Sequence, residues 1–95
     1  MDLVVSPAVR RKLELKHRVT IEEVGQCFDN CAGRFLRDRR ERHTTSPPTL
    51  WFIAPTDKGR LLKVIFIRSS PRTILKSAFE PAEIEKMIYA RRGLK

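Results

Sequence analysis

Three apolar runs in the second half of the chain constrain its fold more than any other feature. Thr49-Leu-Trp-Phe-Ile-Ala54, Arg60-Leu-Leu-Lys-Val-Ile-Phe-Ile-Arg68 and Thr73-Ile-Leu-Lys-Ser-Ala-Phe79 are rich in β-branched and aromatic residues, the types that suit a pleated, half-buried surface. Only Thr56-Asp-Lys-Gly59 and Ser69-Ser-Pro-Arg72 separate them. Links this short join antiparallel neighbours, because a parallel crossover needs a dozen residues or more. The spacing therefore predicts a three-stranded meander. Its middle strand is apolar on both faces at its centre, so it is covered on both sides. Trp51 and Phe52 are adjacent on the first strand and point to opposite faces; one belongs to the core, and the other lies under a helix or offers a stacking platform for a base. Gly59 is placed to supply a positive φ in its turn.

The first half reads as helices. Ser6 is an N-cap with Pro7 at the first helical position, and Val9, Leu13 and His17 form a narrow apolar stripe. Thr20-Ile-Glu-Glu23 is a capping box, with Val19 and Val24 placed as a hydrophobic staple. Ile21, Val24, Cys27 and Phe28 give the second helix its buried face, and Asp29-Asn30 and Gly33 end it. Before these helices, Asp2–Ser6 reads as a short strand or an extended lead-in. After them, Arg34–Asp38 reads as an edge strand with Phe35 inward. Arg39–Pro48 reads as a loop, since Pro47 and Pro48 cannot pair in a central strand. Glu80-Pro81 is expected to open a C-terminal helix with Ile84, Met87, Ile88 and Arg91 along one side. The fold class is thus α+β: two N-terminal helices, a three- to four-stranded antiparallel sheet and a C-terminal helix. All 95 residues form one domain.

So short a chain has a modest core and little room for a deep pocket, which favours work done on a surface. Twenty Lys and Arg against eleven Asp and Glu give a formal charge of +9. Such an excess captures polyanions. No apolar run approaches membrane-spanning length. Cys27 and Cys31 are the only cysteines, too few for a secreted disulfide scaffold. Cys27 reads as a small core residue and Cys31 as lying beyond the helix end. With no signal peptide legible before Pro7, the expected compartment is the cytoplasm.

Arg34, Arg37, Arg39, Arg40 and Arg42 fall within nine positions, interrupted by Asp38 and Glu41. Arginine is suited to bidentate phosphate contact, yet such a run also reads as a solvated, self-paired face. Lys58, Arg60, Lys63, Arg68 and Lys76 lie on the strands and their turn and extend the phosphate-binding candidates. His17 and His43 are the only histidines. A His near Glu, beside Arg or Lys, makes a general base and phosphate clamp for cleaving RNA through the ribose 2′-hydroxyl, with no metal. Lys16, His17, Glu41, Arg42 and His43 are the residues available for it. His17, at the edge of an apolar stripe, also reads as a packing residue. No zinc spacing, phosphate-cradling glycine loop or nucleophile elbow is present, and no cofactor is expected.

Several of these stretches resemble one family. Leu15-Lys-His-Arg-Val-Thr-Ile-Glu-Glu-Val24, Arg39-Arg-Glu-Arg42 and Asp57-Lys-Gly-Arg-Leu-Leu-Lys-Val64 are similar to the BrnT-like toxins of the RelE/ParE-like group. The resemblance implies a RelE/BrnT-like ribonuclease fold, RNA as substrate, and a cognate antitoxin as protein partner. It matches Lys16 and His17 to the family's Lys-His pair, and Glu41 and Arg42 to its Glu-Arg pair. Arg18 stands where the family usually has Gly, and Phe79 where it usually has a cation. Val9-Arg-Arg-Lys-Leu13 and Pro47-Pro-Thr-Leu-Trp-Phe-Ile53 also resemble short bacterial proteins labelled ADP-ribosyl-(dinitrogen reductase) hydrolase, whose chemistry needs an acidic two-metal cluster that this sequence lacks. A non-catalytic basic module that binds nucleic acid or an acidic protein is the alternative to the ribonuclease. An uncovered sheet edge would take an antitoxin or a second copy of the chain, and charges such as Arg34–Arg42 also guard such an edge.

Overall fold

The computed structural model describes residues 2–38 and 47–94. Along the chain run β1 (Asp2–Val4), α1 (Pro7–Lys12), a π-helical turn (Leu13–His17), α2 (Ile21–Asp29), β2 (Leu36–Arg37), β3 (Thr49–Pro55), β4 (Leu61–Ser69), β5 (Arg72–Phe79) and α3 (Glu83–Arg92). The sheet order is β1-β5-β4-β3-β2. β3, β4 and β5 form the expected meander, and β2 adds antiparallel to β3. The wholly antiparallel, three- to four-stranded sheet needs correcting. Asp2–Val4 is a fifth strand, and it pairs parallel to β5 with Leu3 opposite Thr73. Nothing in the meander's local spacing encodes this, because the two strands meet across almost the whole chain.

Local sequence accounts for the helix starts. The Ser6 hydroxyl accepts from the Val9 amide, and Pro7 follows as first helical residue. The helix then widens. The Leu13 carbonyl takes the amides of both Arg18 and Val19, and the Leu13 side chain is fully buried in the core. Arg18 closes the turn in the left-handed region at φ 53°. The Thr20–Glu23 capping box forms in both directions, and Val19 and Val24 are buried as its staple. α3 departs from expectation: Ala82 is its N-cap, so Pro81 lies before the helix instead of at its first position.

The sheet is covered on both faces. On one, Phe52, Ala54, Leu62, Val64 and Phe66 meet Val24 and Cys27 of α2. Phe28 and Phe35 complete this side, with ring centroids 4.8–5.3 Å from Phe52 and Phe66. On the other, Trp51 and Lys63 lie under α3, with the Trp51 ring 5.7 Å from Tyr89. The register puts Ile65 opposite Ser77 but Phe66 opposite Leu75, so Lys76 is the extra residue of a β-bulge. Among the described residues no helix is long and apolar enough to cross a membrane.

Candidate functional site

β2 is the edge strand beside β3, and the end of α3 is tied to the residues that lead into it. The Arg34 amide donates to the Gly93 carbonyl at 2.8 Å, and the Tyr89 hydroxyl donates to the Arg34 carbonyl at 2.9 Å. These two bonds bring the last turn of α3, which carries Arg91 and Arg92, to the segment that carries Arg34 and Arg37, and Arg92 shares a cleft with Arg37. All four side chains are exposed, and no ion pair holds any of them among the described residues. Between β2–β3 and α3 lies a cleft of about 280 Å³. Buried Trp51 and Lys63 form its floor, Ile84 and Ile88 its α3 wall, and Arg37 and Arg92 its cationic rim, with Asp38 and Glu85 among them.

The sequence candidates divide into three groups. Arg34 and Arg37 share this seam. Lys63 and Arg60 are committed to the fold. Lys63 is 3% exposed, bonds Glu85, and holds its ammonium 4.6 Å above the Trp51 ring. Arg60 donates to the Arg18 carbonyl at 2.8 Å and the His17 carbonyl at 3.1 Å. It also pairs with Glu23 and Glu80, each at 3.2 Å. It thereby locks the π-turn, α2 and the approach to α3 onto the β3–β4 turn. Lys58 and Lys76 are exposed, on the β3–β4 turn and the β5 bulge. Arg39, Arg40, Glu41, Arg42 and His43 lie outside the described residues.

Lys16 and His17 occupy a different place. The His17 ring packs against Phe79 of β5, tilted by 40°, with centroids 5.4 Å apart. Burial, then the neighbouring Lys16 and Lys12, lower its pKa below the ordinary histidine value, so the neutral imidazole is favoured. β5 and β2 are three strand spacings apart in the sheet, about 14 Å, so the Lys16–His17 pair and the Arg34–Arg37 edge do not form one site. Cys27 is fully buried, and burial raises its thiol to about 11, which makes it an inert core residue.

Sequence reasoning misses one contributor and leaves another, Arg68, without a place. Arg92 reads there only as a helix-end charge, and the signal that it joins the Arg34 edge is the pairing of Gly33 with Gly93. A Cβ on Gly33 would stand 2.7 Å from the Gly93 carbonyl, so this close crossing of two segments requires glycine. Arg68 lies 5.1 Å over the Phe35 ring, which puts another exposed cation on the β2 side of the sheet. Comparison with protein-family models and with curated proteins finds no match to this chain.

Proposed function

We propose that this protein binds RNA along the β2–α3 seam and acts in the bacterial cytoplasm as the toxin of a toxin–antitoxin pair, cleaving RNA without a metal. The observation that carries the binding half is the seam itself: two chain segments joined by two hydrogen bonds, carrying exposed Arg34, Arg37, Arg91 and Arg92, which form no ion pair among the described residues. Guanidiniums held on fixed backbone suit a phosphate track.

The cleavage half rests on the likeness to BrnT-like toxins and on the residues that follow Asp38 in the chain. In this reading His43 or Glu41 takes the proton of a ribose 2′-hydroxyl. The 2′-oxygen attacks the adjacent phosphorus, and the 5′-oxygen leaves with a proton. The products are a 2′,3′-cyclic phosphate and a 5′-hydroxyl end. Arg42 balances the charge gathering on the phosphate. An antitoxin with an acidic surface would compete for the same cations.

One observation favours a second reading, a basic module that binds without cutting. Phe79, where the resembling family has a cation, packs against His17, so that cation is replaced by an aromatic contact.

One experiment separates the two readings. Purified protein is incubated with RNA in chelator, and wild type is compared with His43→Ala, Arg42→Ala and Arg37→Ala/Arg92→Ala. Cleavage lost in the first two variants supports the ribonuclease. Intact RNA with salt-sensitive binding that the Arg37/Arg92 variant weakens supports the binding module. RNA binding that does not change in the Arg37/Arg92 variant sinks the seam as the interface.

A further inference from the structure

α3 turns its apolar stripe away from its own core. Tyr89 is its buried residue, with Glu85 and Lys86 half-buried beside it. Ile84, Met87 and Ile88 are 60%, 50% and 37% exposed. Their spacing of three and four puts them on one face, the face that a helix packed on a sheet normally turns inward. Arg91 continues that face by one turn.

The same helix is charged oppositely at its two ends. Glu83 stands in the first turn and is 86% exposed, and Arg91 and Arg92 stand in the last.

We propose that a second copy of this chain docks on this face, α3 against α3, antiparallel about a twofold axis at Met87. A twofold interface must be complementary to itself, and this face meets that condition in one orientation. An axis at Met87 sets Glu83 opposite Arg91 of the partner subunit, twice over, and packs Met87 against its own copy. Parallel pairing would instead oppose Glu83 to Glu83. A polyanion in the β2–α3 cleft meets Ile84 but neither Met87 nor Glu83, and on this face Glu83 repels it. Glu83 has one partner of its own, Lys86 at 2.9 Å, and such exposed pairs are weak enough to exchange. A ten-residue helix is about 15 Å long. The contact is therefore smaller than a standard interface, and the dimer is concentration-dependent. The proposal does not rest on RNA binding.

Sedimentation velocity of the full chain, from micromolar concentration upward, tests it. The expected result is a monomer–dimer equilibrium. Met87→Glu places two like charges at the axis and gives monomer throughout, with the melting temperature of the dilute wild-type monomer, because the side chain is half exposed there. Glu83→Arg and Arg91→Glu each weaken the dimer about tenfold, and the double exchange Glu83→Arg/Arg91→Glu restores it. Monomer at every concentration overturns the proposal. So does a dimer that survives Met87→Glu, or a double exchange that fails to restore association.

Discussion

Tyr89 and Arg34 are 55 positions apart in the chain and are joined by a hydrogen bond of 2.9 Å from the phenol to the carbonyl. Burial, then the Cys31 thiol beside it, raises the Tyr89 pKa far above the ordinary tyrosine value, so the phenol remains a donor throughout the working pH range. Tyr89→Phe keeps the ring on Trp51 but leaves the Arg34 carbonyl without this donor. A loss of about 1 kcal/mol is expected from denaturant unfolding, together with weaker RNA binding if the seam is the interface. Gly33→Ala is expected to cost more, about 1–3 kcal/mol, because its Cβ meets backbone that cannot step aside.

Arg18 carries the strain of the first turn. Its φ of 53° is unfavourable for a residue with a Cβ by about 1 kcal/mol. Arg18→Gly removes that Cβ while the Leu13 carbonyl bond is made by backbone alone. A gain of about 0.5–1 kcal/mol is expected, read as a higher denaturant midpoint at an unchanged slope. A fall in midpoint would mean that the Arg18 side chain, and not its backbone geometry, holds the turn.

What the sequence revealed of the fold follows from how local each signal is. The capping box, the staple and the three meander strands each lie within a few residues and are present as read. Phe35 lies inward, Cys27 in the core and Gly59 at positive φ, as expected. The parallel pairing of β1 was not legible, because three residues carry no register of their own. Lys63 reads as a surface cation, though it lies mid-strand in a run apolar on both faces. That pattern already implies cover on each side, and an acid must then come to meet the ammonium. α3 was legible as a helix but not in its rotation. One buried tyrosine that donates to the Arg34 carbonyl outweighs three apolar residues in setting which face turns in. Of the site, Arg34 and Arg37 were legible from charge. Arg92 was not, because the segment that brings it there is joined by glycines and a tyrosine.

Lys63 and Glu85 make a buried pair over Trp51. Lys63→Met keeps the aliphatic stem and leaves Glu85 facing an apolar floor, at an expected cost of about 3 kcal/mol. Glu85→Gln keeps an acceptor for the Ala82 amide, which Glu85 now serves at 2.8 Å, while removing the charge. The double variant Lys63→Met/Glu85→Gln is therefore expected to recover at least half of the single loss. Additive losses in a double-mutant cycle would show that the two charges do not stabilise one another.

His17 gives the fold a pH dependence whose sign is fixed by its surroundings. Its folded pKa is lowered by burial first, then by Lys16 and Lys12, whereas the unfolded chain keeps the ordinary value near 6.5. Between the two values the unfolded state binds more protons, so stability falls as pH drops through 6.5 toward the folded pKa. His17→Gln should flatten that decline while leaving the more acidic one. Glu23, whose burial is outweighed by its bonds to the Thr20 amide and to Arg60, has a lowered pKa and loses its contribution only below the ordinary carboxylate range. Imidazole NMR titration in a His43→Gln background reads the site directly. Lys16→Gln should raise the His17 pKa by removing a like charge. Phe79→Lys should lower it further, because the ring that now packs at 5.4 Å would be replaced by an ammonium. If the ribonuclease reading is right, that same variant restores the family's cation and should raise RNA cleavage. A His17 pKa at or above 6.5 in the wild type would remove both the pH dependence and the case for a neutral imidazole at this edge of the sheet.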